Sequence, residues 1–230
     1  MLKSLYLLFL LLLTPLGLAE HSYAGKWSNY FEKLKDAEPR PLVMEAVKNF
    51  SSPGSAIDLG AGVGQDSIYL LQKGWSVLAI DGEKESTDLI LKKSNGMSSK
   101  ENLSVLTSSY EDAPFQFLKP VDLVYGSFSI PFCSPSHFEK FWKDISSVLN
   151  PNGIIAVNLF GNLHSWSSKK HINFHTKDQA LALLKGFDII KFEEIDEIRD
   201  AAIGKDVRWH LFNIIARKKS LQVDKSKKMD

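Results

Sequence analysis

The sequence is poor in cysteine, in charge of one sign and in long apolar runs, and each shortage removes a class of protein. A single cysteine, Cys133, stands among 230 residues, which excludes an internal disulfide and any zinc cluster built on thiolates. Lys and Arg number 28 against 27 Asp and Glu, a formal net charge of +1. The two signs are interspersed, so no basic face for a nucleic-acid partner is expected. The 6 histidines are scattered. Only His171 and His175 stand four apart, and Asn173 and Phe174 between them read as loop or strand, so no metal site is expected. No internal repeat or long linker divides the chain, and its length suits one domain with a full core and a deep cleft.

One apolar run does occur, at 5–13. It follows Lys3 and is broken by Pro15 before Gly17-Leu18-Ala19. These are the parts of a secretory signal, predicted at 1–19, with an uncleaved anchor as the alternative. The run is short for a bilayer span, and no membrane contact is expected beyond this leader. Residues 20–50 read as an N-terminal lid or helical segment, 51–218 as the main folded domain, and 219–230 as a basic, flexible tail.

Apolar spacing predicts helices over 41–50, 65–73, 84–93 and 136–150, the last with Phe138, Phe141, Trp142 and Ile145 on one face. Strands are predicted at 56–59, 76–81, 103–107, 121–128 and 154–160. Thr176 with Gln179 forms a capping box for a helix ending at Gly186. Two extended segments, FDIIKFEEI and VRWHLFNIIAR, then follow without an intervening helix and must pair antiparallel. Alternating strands and helices closed by such a hairpin make a three-layer α/β/α sandwich, a Rossmann-like, mostly parallel sheet of seven strands with an antiparallel last strand.

The stretch AIDLGAGVGQD leaves the first strand at the end of the sheet where such folds bind ligands. Its glycines, Gly60, Gly62 and Gly64, place Gln65 where the dinucleotide pattern G-x-G-x-x-G wants its third glycine. Charge separates the candidates further. Asp58 precedes the loop and Asp66 opens the next helix, so a pyrophosphate there would face two carboxylates. At about 5 Å and an effective dielectric near 20, each such pair costs on the order of 3 kcal/mol. S-adenosyl-L-methionine, with a sulfonium, an ammonium and no phosphate, reverses the sign. Asp81, ending the second strand, suits the two ribose hydroxyls, although NAD(P) would use the same residue type.

AIDLGAGVGQDSIYLLQKGWSVLAID resembles motif I and the second strand of the class I S-adenosylmethionine-dependent methyltransferases. The resemblance continues through VDLVYGSFSIPF, LNPNGIIAVNLFG and WHLFNIIARK, and within the superfamily it is closest to the small tellurite-resistance type. It implies a seven-stranded sheet with an antiparallel last strand and methyl transfer to a small-molecule acceptor. By the same resemblance Asp58, Gly60 and Gly62 lie against the methionine end and ribose, Asp81 takes the ribose hydroxyls, and Gly82 lets the chain pass the adenine. Tyr110 and Glu111 flank the adenine, where many members carry an acid at the position of Ser108. Gly126 and Ser127 face the sulfonium, and the N-terminal segment closes over the cofactor.

Trp27, Tyr30 and Phe31 are therefore lid candidates, an aromatic face near a sulfonium adding about 1 kcal/mol of cation–π energy, and Arg40 is a partner for the cofactor carboxylate. Phe128, Phe132, Phe160 and Trp166 are candidates for an apolar acceptor pocket, with core packing as the plainer alternative. A general base is needed only if the nucleophile has a proton to lose; His164 and His175 are the candidates. Two other readings stay open: an NAD(P)-dependent oxidoreductase on the same sheet, and a module that binds S-adenosylmethionine without catalysis. A monomer and a dimer are both compatible with the sequence. The leader points to export while the cofactor is made in the cytosol, so a membrane-tethered or cytoplasmic enzyme is the alternative destination.

Overall fold

The computed structural model describes residues 27–201 and 205–220. The leader at 1–19 and most of the basic tail lie outside the described residues. Two short helices, α1 (Ser28–Leu34) and α2 (Pro41–Val47), precede the sheet. Then come β1 (Ser55–Leu59), α3 (Gln65–Gln72), β2 (Ser76–Asp81), α4 (Lys84–Ser94), β3 (Leu103–Thr107), β4 (Val121–Gly126), α5 (Phe138–Ser147) and β5 (Leu149–Gly161). A two-residue strand β6 (Phe174–His175), helix α6 (Lys177–Ala182), and strands β7 (Phe187–Arg199) and β8 (Val207–Lys218) complete the chain.

The strands lie in the order β3-β2-β1-β4-β5-β8-β7. Strands β1 to β5 run parallel, and β8 is antiparallel to both its neighbours, β5 and β7. The three-layer sandwich with an antiparallel last strand is thus the observed architecture. β6 is an addition: it pairs with Phe160 and Gly161 at the end of β5.

Alternation along each strand sends its side chains to two cores. Ile57, Leu59, Val124 and Val157 pack with Phe138, Phe141, Trp142 and Ile145 of α5 and Ala180 of α6. Ala56, Leu123, Tyr125, Ile154 and Ala156 face Leu42, Val43 and Ala46 of α2 and Leu70 and Leu71 of α3. A parallel sheet buried on both faces requires such near-continuous apolar strands. The edge strand β7 carries Lys191, Glu193, Glu194, Asp196 and Glu197, charges that discourage a further strand from adding there.

Helices α2 and α6 end earlier than expected, at Val47 and Ala182, and three further boundaries move for tertiary reasons. Helix α5 stops at Ser147 because Leu149 already pairs with Val121; the register then jumps to Leu123 opposite Ile154. Pro151-Asn152-Gly153 is therefore a bulge inside β5, with Asn152 at φ 65°. β7 continues past Ile195 to Arg199, held by the β8 pairing in which Arg208 grips Asp196 with two bonds of 2.7 Å. β4 ends at Gly126, two residues early, because Phe128 adopts φ 55°.

The capping box is present, with Thr176 Oγ1 accepting from the Gln179 amide at 3.2 Å and Gln179 Oε1 from the Thr176 amide at 2.8 Å. Thr176→Ala should lower the unfolding free energy by about 1 kcal/mol in a urea titration, with an unchanged m-value.

Candidate active site

The β1–α3 junction is built by steric exclusion. Gly60, Gly62 and Gly64 all have positive φ, 65°, 56° and 80°. A Cβ on Gly60 would collide with Ser129 and the Tyr110 hydroxyl, and one on Gly64 with Ile90. Gly62 is different: a Cβ there meets nothing nearer than 4.0 Å, so its face of the loop is open to a ligand. Gly82 is likewise open, with nothing within 4 Å.

Three buried carboxylates surround this loop. Asp58 accepts from Ser67 Oγ at 2.6 Å. Burial and the neighbouring charge of Asp66 push its carboxyl well above the usual carboxylate range. Asp81 accepts from the Gly62 amide at 2.8 Å and the Glu83 amide at 2.9 Å, tying the end of β2 to the loop, and burial raises it as well. The Ser86 hydroxyl completes the tie by donating to the Gly62 carbonyl.

Asp66, the third, is paired. Its Oδ1 accepts from the Arg40 backbone amide at 2.7 Å, and its Oδ2 from Arg40 Nη1 at 2.8 Å and Tyr125 Oη at 2.9 Å. The negative charge counted against a phosphate from the sequence is thus neutralised on the Asp66 side. Among the described residues, no cationic side chain is bonded to Asp58 or Asp81. Arg40 also donates to Tyr30 Oη at 3.1 Å, so its guanidinium is committed within the protein before any cofactor carboxylate is considered.

The other positions sort by what they touch. Trp27 stands edge-on to Phe132 at 5.3 Å, and Ser28 donates to Glu85 at 2.6 Å; α1 thereby joins α4 to the segment after β4. Tyr110 stacks on Phe141 at 4.7 Å with its hydroxyl toward Gly60, and burial drives that hydroxyl's pKa upward. Glu111 turns to the Ser134 amide at 2.9 Å. Gly126 is crowded by Ile130. Cys133 is buried, its thiol pushed up to about 12 by burial and the Glu111 charge.

After β4, Ser127 Oγ donates to Asn158 Oδ1 at 2.6 Å and the Phe128 amide donates to the same oxygen at 3.1 Å. The left-handed backbone at Phe128 costs about 1 kcal/mol, and Asn158 holds it there. Asn158 in turn donates to Asn213, which sits opposite it in the β5–β8 register. A lone amide inside the apolar run IIAVNLF, matched by another in LFNIIAR, was the available signal for this pair.

Phe160 is buried and stacks on His164 at 4.5 Å; Trp166, Phe174 and Trp209 complete an aromatic cluster around that ring. His164 Nδ1 accepts from the Trp166 amide at 3.1 Å, which leaves the proton on Nε2 in the neutral ring. That tautomer is a donor and offers no free basic nitrogen. Burial, with His210 and Lys169 nearby, lowers His164 to about 4. His175 lies against Phe138 at 4.8 Å and burial lowers it to about 4 too. Trp209 was missed from the sequence, since an aromatic in a strand reads as core. Among the described residues no helix is long and apolar enough to cross a membrane, and no group of three or more His, Cys, Asp or Glu is placed to hold a metal ion.

This strand order, with a glycine loop and buried acids at the carboxyl ends of β1 and β2, defines a class I S-adenosylmethionine-dependent methyltransferase fold. The family model described as tellurite resistance protein TehB matches residues 23–200, and the chain belongs to that family. TehB from Haemophilus influenzae superposes with a TM-score of 0.64 at 18% identity, over 77% of this chain and 61% of that one. The 1,6-didemethyltoxoflavin-N1-methyltransferase of Burkholderia thailandensis superposes at 0.63, also at 18% identity, over 91% and 94%. The 23S rRNA (uracil(747)-C(5))-methyltransferase of Pyrococcus abyssi is 34% identical over 143 residues, 52% of this chain. The chain spans 33% and 63% of the lengths of the two curated relatives it matches.

Removing the Arg40 guanidinium leaves Asp66 buried beside a hydroxyl and one amide. Arg40→Met should cost about 3 kcal/mol of unfolding free energy at pH 7, measured by denaturant titration.

A second outcome concerns pH. His175 is neutral in the fold down to about 4, whereas the unfolded ring takes its proton near 6.5. The unfolded chain therefore binds the extra proton between these values, and this ring's contribution to stability is lost as pH falls through the window. His175→Phe removes that slope. Relative to wild type the variant should gain about 1.4 kcal/mol per pH unit on acidification from 6.5 toward 4, read from denaturant curves at matched pH.

Proposed function

We propose that this protein transfers the methyl group of S-adenosylmethionine to a small-molecule acceptor by in-line displacement. The observation that carries the reading is the pair Asp58 and Asp81: both buried, both raised by burial, and neither bonded to a cation among the described residues. A ligand bringing positive charge relieves that cost, and a pyrophosphate adds to it. The Arg40–Asp66 pair narrows the argument to these two acids without reversing its sign.

The residues present fit the group. Gly62 and Gly82 leave room beside the loop, and a carboxylate accepting one amide per oxygen has a further lone pair on each for two ribose hydroxyls. Asp58 would hold the positive methionine end, and Ser127, placed by Asn158, would stand near the reacting sulfur. When bound, S-adenosylmethionine supplies an electrophilic methyl group on a sulfonium. Trp27 and Tyr30 of the N-terminal segment would exclude water, and a dry pocket favours a reaction in which charge disperses. Positioning of the acceptor would supply much of the rate.

A histidine base is not needed in this scheme. The neutral Nε2–H form of His164 donates, and a soft or anionic nucleophile arrives already deprotonated. The Burkholderia relative's name gives a small molecule as its substrate and the Pyrococcus relative's gives an rRNA. The even mixture of charges here, +1 overall, supports the small molecule.

Calorimetry should detect S-adenosylhomocysteine and give no heat with NADH, and Asp81→Ala should weaken the former at least about tenfold. Tritiated methyl transfer into fractionated metabolites should label a small molecule with wild type and none with that variant. Uptake of NADH with indifference to S-adenosylhomocysteine would overturn the reading in favour of an oxidoreductase.

A further inference from the structure

Two buried N–H groups in the aromatic cluster have no partner among the described residues. His164 is 1% exposed and Trp209 8%, and neither His164 Nε2 nor Trp209 Nε1 makes a hydrogen bond. Both are donors: the Trp166 amide occupies His164 Nδ1 and so places the proton on Nε2, and an indole nitrogen can only donate. The two rings are 5.1 Å apart, nearly perpendicular at 80°. An orphaned buried donor is costly, and two side by side call for an explanation.

The cluster's position supplies one. Phe128 meets Trp209 at 5.5 Å and directly follows Ser127, at the carboxyl end of β4 where the methyl donor is placed above. His164 and Trp166 lie on the loop after β5. Three of the rings already carry a cation on a face: Lys169 over Trp166 at 4.5 Å, Arg199 over Trp209 at 5.3 Å and Arg40 over Phe128 at 5.9 Å. A ring so loaded has little attraction left for a second cation, and the N–H groups repel one outright. The cluster is set against cationic ligands and toward acceptors.

We infer that this cluster is the methyl-acceptor site, and that it takes a flat aromatic molecule bearing an anionic or strongly accepting oxygen or nitrogen, held by His164 Nε2–H and Trp209 Nε1–H. The assignment rests on the methyltransferase reading above and deepens it. Stacking on Phe160 and Phe174 supplies affinity, the two donors orient the molecule, and its nucleophilic edge is presented toward Ser127 and Phe128. Trp166, the half-exposed ring, is the one displaced on entry.

The test is calorimetric titration of wild type with two probes of one shape and opposite charge, 2-naphthoate and 2-naphthyltrimethylammonium, with and without S-adenosylhomocysteine. The naphthoate should bind at least about tenfold more tightly than the cation. His164→Phe and Trp209→Phe should each weaken naphthoate about tenfold, the loss of one charge-assisted bond, and leave S-adenosylhomocysteine affinity as in wild type. Equal or stronger binding of the cation, no binding of naphthoate, or naphthoate affinity unchanged in both variants would each overturn the assignment. If one variant fails to fold, the wild-type ratio and the other variant decide. Loss of S-adenosylhomocysteine binding in wild type would instead sink the methyltransferase reading, and the probe comparison made without it would still judge the cluster.

Discussion

The electrostatics of the β1–α3 junction govern the architecture around it. A carboxylate taken out of water must be paired, hydrogen-bonded or protonated, and here three are buried within one loop's reach. Asp66 is satisfied by Arg40 and Tyr125, which draws the start of α2 against α3 and orients Tyr30. Asp81 is satisfied by the amides of Gly62 and Glu83, which ties the end of β2 to the glycine loop. Asp58 has a single hydroxyl donor, and its raised proton affinity marks where the protein alone leaves charge uncompensated. A positively charged ligand would complete the arrangement.

A second polar device operates at the end of β4. Asn158 receives Ser127 and Phe128 on one oxygen and passes its own amide protons to Asn213, which donates to Glu193 at 2.9 Å. Glu193 meets Lys191, and Lys191 meets Glu45 of α2 at 2.7 Å. The strained turn at Phe128 is thereby anchored through β5 and β8 to the sheet edge. That turn aims one ring at both Arg40 and Trp209, so one left-handed residue stands between the proposed cofactor and acceptor sides.

The central strands and the fold class were legible because the middle of the sheet is buried on both faces, so each of those strands reads as an apolar run of the right length. Leu103–Thr107 and Ser76–Asp81 came out to the residue. The boundaries that shifted did so where tertiary pairing overrode local pattern: Leu149 left its helix to meet Val121, and β7 was prolonged by its partner. In the site, the glycine loop, Asp58 and Asp81 were visible as a motif. Asp66 was visible too, but its neutralisation was not, because Arg40 lies 26 positions away in sequence.

By itself the sequence determined the period of each element, the glycine positions of the loop after β1, and the identity of the acids beside them. These are local properties, written in spacing and in the absence of a Cβ. Only the tertiary structure decided which acid is paired, which histidine nitrogen keeps its proton, and which indole is left without an acceptor. Each of those depends on a partner brought in from a distant strand or loop, and desolvation makes the presence or absence of that partner decisive.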